Sequence, residues 1–193
     1  MIYKLNRKSH INGGVSNGLL TTMARKDSND YAKYKLGCCE SISEDRLQHM
    51  EILSVLERLN FPMDEIGTYF FKDMIVKAVR YLDGRDDFGN YVSQDTLLQE
   101  LKSPYSQFYF DLARNEKDIG VKTFHTCIEN SLANINYNKA DTTLLYEIYS
   151  NFSKNGNYGE HAYAISRYIK KARENKSGYQ YTIVPTVNTQ VGF

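Results

Sequence analysis

Tryptophan is absent from this chain, and proline and cysteine occur three times each. Cys38 and Cys39 are adjacent and Cys127 stands alone, so there is no spaced, even set from which a disulfide framework is built. Nor is there the paired Cys or His at short intervals that a zinc site needs. All three read as free thiols, with Cys127 inside a helix core. Long apolar runs are missing too. None approaches the roughly 18 residues of a membrane span, and the opening MIYKLNRKSHINGG lacks the apolar block of a secretory signal. These absences predict a cytoplasmic protein that enters no membrane.

Motifs of catalysis and phosphate binding are equally scarce. The patterns GxxxxGK[ST], GxGxxG after a strand, HExxH and GxSxG do not occur. His10, His49, His125 and His161 are scattered in sequence. His125 and Cys127 lie two apart, and on a helix such residues do not face one site. The acidic run at Asp83, Asp86 and Asp87 fails as a calcium loop, because Phe88 and Gln94 stand where glycine and glutamate are required. The expectation is a protein without metal, cofactor or catalytic machinery.

What the chain does contain is a divided charge. The net charge is +1. Residues 1–36 carry seven Lys/Arg against two Asp/Glu, residues 37–152 eleven against nineteen, and residues 153–193 six against two. Basic ends flank an acidic body, and basic ends are footprints for polyanions. Tyrosine is abundant at 16 residues, a type that covers apolar area and keeps a hydroxyl for a partner.

Periodicity predicts an all-α bundle of six or seven short helices. Residues 1–42, interrupted by Gly13, Gly14 and Gly18, read as an irregular basic arm. Helices are expected over Ser43–Asn60, closed by Pro62, and over Thr68–Leu82, stopped by Asp83-Gly84. Shorter ones follow near Ser93–Leu101 and from Pro104, with Tyr105, Phe108, Tyr109 and Leu112 on its stripe. Ile119–Asn134 buries Val121, Phe124, Ile128 and Leu132, with Ile135 just beyond. Thr142–Phe152 and Gly159–Glu174 complete a helical domain over 43–176. The tail 177–193 is extended and β-prone, with Pro185 barring it from a central strand and Met1–Leu5 as its pairing candidate.

The two helices from Pro104 and Ile119, joined by the polar NEKD, have helix-turn-helix arithmetic. With the apolar set inward, Lys122, Thr123, His125 and Thr126 point outward or sideways in the first turns, where a recognition helix meets base edges. Glu129 lies on the same outer face. Arg167, Lys170, Lys171 and Arg173 on the last helix, with Lys4, Arg7, Lys8, Arg25 and Lys26 in the arm, are candidates to hold phosphates.

The stretch ILSVLERLNFPMDEIGTYFFKDMI, Ile52–Ile75, resembles the opening of the DNA-binding effector domain of the sporulation-initiation response regulators of endospore-forming bacteria. Pro62, Gly67, Tyr69 or Phe70, and Ile75 fall in the corresponding order. Further on, Tyr105, Phe108, Tyr109, Leu112, Phe124, Ile128 and Glu129 are similar in spacing to that family's helix-turn-helix. The likeness spans about Glu51–Asn134. It implies a transcriptional regulator that binds double-stranded DNA, without the receiver domain, for which residues 1–42 are too short. Where the family's recognition helix carries arginines, this chain has Ile119, Lys122 and His125.

Two readings follow. One is a helix-turn-helix regulator, acting as a homodimer because one recognition helix buries little surface. The other is a phage or mobile-element interaction module that docks on a host nucleic-acid-binding protein, favoured by the acidic body and the tyrosines.

Overall fold

A computed structural model describes residues 22–38, 42–86, 89–115, 119–150 and 156–180. Among them are α1 (Thr22–Lys35), α2 (Glu44–Arg58), α3 (Ile66–Leu82), α4 (Gln94–Lys102), α5 (Gln107–Asn115), α6 (Val121–Ala133), α7 (Thr142–Tyr149) and α8 (Tyr158–Gln180). A short 3-10 turn at Tyr137–Lys139 precedes α7, and no strand forms among the described residues. None of these helices is long and apolar enough to cross a membrane. The expected pairing of the two chain ends lies outside the described residues.

The architecture is all-α, and α3 is its axis. Its sequence IGTYFFKDMIVKAVRYL is apolar on more than one stripe, and all positions from Gly67 to Val79 are buried except Asp73. A helix apolar nearly all round has to be enclosed, and here α2, α6 and α8 enclose it, with α1 and α4 adding smaller contacts. The core is aromatic. Phe70 stacks on Phe124 at 5.0 Å between centroids, and Phe71 on Phe61 at 5.3 Å.

Two glycines set helix approaches. A β-carbon on Gly67 would lie 2.0 Å from the Cys127 carbonyl oxygen and 2.4 Å from Ser131 Oγ, so α3 and α6 cross in near-backbone contact. Glu65, at the N-cap of α3, fixes this crossing by accepting from Ser131 Oγ (2.8 Å) and Asn134 Nδ2 (2.6 Å). A β-carbon on Gly159 would lie 2.2 Å from the Leu101 carbonyl oxygen, which seats the start of α8 on the end of α4.

Caps mark several starts. Ser93 Oγ accepts from Thr96 N (3.1 Å) and Asp141 Oδ1 from Leu144 N (3.0 Å), each satisfying a backbone donor that the first turn leaves open. Ser43 holds the N-cap of α2 without a side-chain cap bond.

Three expectations are corrected. The irregular arm contains helix α1, which buries Ala24 and Tyr31 in the core and is tied to α2 and α3 by ion pairs that its own sequence does not announce. Helix α5 begins at Gln107 rather than Pro104, because Ser106 N bonds Ser103 O in a turn first. Tyr105 therefore falls off the buried stripe and is 71% exposed. Finally, α8 runs on to Gln180, so helix occupies the first residues of the segment expected to be extended.

Candidate nucleic-acid interface

Helix α6 carries most of the nominated residues. Phe124 and Ile128 are fully buried against α3, and Val121 and Leu132 pack partly against the same core. This orientation leaves Lys122, Thr123, Thr126, Glu129 and Asn130 exposed. Thr126 Oγ1 donates to the Lys122 carbonyl oxygen at 3.0 Å, the local back-bond that a helical threonine commonly makes. Its methyl and its oxygen lone pairs stay on the surface.

His125 is a correction. A DNA-contacting side chain has to reach solvent, and His125 is only 8% exposed. Its Nε2 lies 2.7 Å from the Pro104 carbonyl oxygen, so Nε2 carries the proton and donates. Tyr109 meets the ring edge-on at 4.6 Å and Tyr158 lies tilted at 5.1 Å. Nδ1 is buried without a hydrogen-bond partner. Burial pushes the His125 pKa down, against smaller upward pulls from the Pro104 hydrogen bond and Glu129. The same pocket raises the phenols, Tyr158 to about 12. His125 is thus a neutral post that joins α6 to the turn before α5, and no base edge is within its reach. The helical stripe misled because α8 covers a second flank of α6, which periodicity within α6 cannot reveal.

The cations of α8 divide into two kinds. Lys170 Nζ donates to the Leu82 carbonyl oxygen at 2.5 Å and pairs with Asp83 at 3.2 Å, so it closes the C-terminus of α3. Arg173 lies 3.6 Å from Glu51 on α2. Arg167 and Lys171 are exposed, and Arg167 also sits over the Tyr163 ring at 6.0 Å. Among the described residues neither forms a salt bridge, and both line an open groove against α7 rather than the outer face of α6. Of the arm's cations, Lys4, Arg7 and Lys8 lie outside the described residues. Arg25 and Lys26 are exposed on α1.

Sequence reasoning missed a buried charge cluster beneath α1. Lys72 and Asp27, each 1% exposed, form an ion pair. Lys72 Nζ also meets Asp73 at 2.5 Å and His49 Nδ1 at 3.2 Å. Arg46 bridges Asp27 (2.5 Å) and Asp30 (2.8 Å). Burial by itself would lower the Lys72 pKa, but Asp73 and Asp27 outweigh it and hold the ammonium charged, above its ordinary value. Asp27, His49 and Asp73 bring ligand-type atoms within 4.8 Å of one another. The Lys72 ammonium already stands among those atoms, so the cation they hold is the chain's own. No spacing in the sequence announces this set, because its members come from three helices.

No protein-family model matches this chain, and neither does any curated protein or solved structure.

Proposed function

We propose that the protein is a helix-turn-helix regulator that reads double-stranded DNA with the N-terminal half of α6. The observation that carries this reading is the orientation of α6: Phe124 and Ile128 are buried while Lys122, Thr123 and Thr126 are exposed. A lysine donates to guanine O6 and N7, and threonine offers either a hydroxyl or a methyl for thymine. His125 contributes by holding α6 at a fixed angle to the Pro104 turn. One short helix supplies little surface, so two copies on half-sites about 34 Å apart complete the complex.

The test is the salt dependence of duplex binding by fluorescence anisotropy. Affinity should fall steeply as salt rises, because cations displace phosphate counterions. Lys122→Ala should weaken binding and make the log–log slope shallower by about 1. An unchanged slope and affinity in that variant would remove α6 from the groove.

A second reading, a protein-interaction module, is favoured by one observation. Residues 104–135 hold three Lys/Arg against four Asp/Glu, and phosphate affinity rests largely on positive charge. A chain of this kind would ignore random duplex even at low salt.

A further inference from the structure

We propose that the groove between α7 and α8 is a docking slot for an acidic peptide segment of a protein partner, one that carries apolar side chains among its carboxylates. The slot is an open groove of about 860 Å³, comparable in size to pockets that hold compact ligands and side-chain clusters. Arg167 and Lys171 stand on one rim, four residues apart on the same side of α8. Tyr146, on the α7 side, is 75% exposed, and Tyr168 lies partly buried along α8. Lys170 reaches the slot as well but is committed to Leu82 and Asp83.

Charge decides the kind of partner. Two cations without salt bridges among the described residues, spaced one helical turn apart, match two carboxylates of a peptide. The exposed ring of Tyr146 offers area to an aliphatic or aromatic side chain at low entropic cost. Glu147 and Glu174 line the same slot. A duplex presents a phosphate every 3.4 Å or so along each strand, so these acids would face phosphates wherever Arg167 and Lys171 did. A peptide avoids that conflict, because its charges need not be evenly spaced: its carboxylates can meet Arg167 and Lys171 while uncharged residues pass Glu147 and Glu174. The slot lies on α7 and α8 and shares no residue with the DNA-reading face, so it stands or falls independently of the regulator reading.

The experiment uses the full chain and a fluorescein-labelled peptide of alternating Glu and Leu, with a Lys/Leu peptide and a random duplex as comparators. The acidic peptide should bind saturably and the basic one should not. Arg167→Glu with Lys171→Glu should weaken acidic-peptide binding about tenfold, the product of two lost surface pairs and their reversal. Tyr146→Ala should weaken it several-fold. All three residues are on the surface, and an unchanged thermal melt confirms that the fold is kept. Lys122→Ala should leave peptide binding intact. Peptide binding that is absent, or indifferent to the double reversal, overturns the proposal. So does a double reversal that weakens duplex binding as much as Lys122→Ala, which would make the slot a phosphate surface.

Discussion

Removing the Asp27 carboxylate tests how α1 is attached. Asp27 and Lys72 are each only 1% exposed, so Asp27→Ala leaves a buried ammonium that keeps Asp73 at 2.5 Å and His49 at 3.2 Å as its remaining neighbours. Breaking one side of a buried pair costs about 3–5 kcal/mol. Asp73 still neutralises Lys72, and Arg46 keeps Asp30, so the lower end, about 3 kcal/mol, is expected. That is a large share of the roughly 5–15 kcal/mol by which a domain is stable. Urea unfolding followed by circular dichroism at neutral pH measures it as a lower midpoint with an unchanged slope. The compensating variant Asp27→Leu with Lys72→Met removes both charges and fills the space, so it should lose less than Asp27→Ala alone. Asp73, with 26% of its side chain exposed, can then turn to water. A loss below about 0.5 kcal/mol for Asp27→Ala, the size of an ordinary surface pair, would refute the view that this cluster fastens α1.

Gly67→Ala should destabilise by about 1–3 kcal/mol, the usual cost of overpacking. The new methyl meets backbone 2.0 Å away at Cys127, so the two helices must part. A thermal melt should fall by several degrees, and an unchanged melt would mean the crossing is looser than described. His125 makes stability pH-dependent. Burial depresses its folded pKa below the unfolded value of about 6.5. Its contribution is therefore complete above that value and is lost as pH falls through the folded pKa. His125→Gln keeps a donor for the Pro104 carbonyl and removes the titration, so the urea midpoint should change less between neutral and mildly acidic buffer than in the parent. An identical pH profile in both proteins would show that His125 does not titrate in this range.

Much of the fold was legible in single helices. The periodic segments Ser43–Asn60, Thr68–Leu82 and Ile119–Asn134 predicted α2, α3 and α6 within a few residues, because a 3.6-residue repeat of apolar side chains is local information. Proline and glycine at 62 and 84 marked the breaks for the same reason. Helix α1 was not legible. TMARKDSNDYAKYK has a weak apolar stripe, and it is held by Asp27 and Asp30 on Arg46 and Lys72, and by Tyr31 and Lys35 on Glu57 at 2.7 and 2.6 Å. Such partners lie tens of residues away, and no periodicity within α1 points to them.

The site divides in the same way. The residues of α6 by themselves determined that Phe124 and Ile128 turn inward, and so that Lys122, Thr123 and Thr126 turn outward, since a helix has only one angular arrangement. Only the tertiary structure decided the fates of His125, Lys170 and Arg173. Each lies at a flank of its helix, where the angle permits either solvent or a neighbour. The arrival of Tyr158 and Pro104 sealed His125, and the end of α3 and the side of α2 drew in Lys170 and Arg173. Exposure at a helix flank depends on what packs beside it, and that is set by long-range contacts rather than by the helix's own repeat.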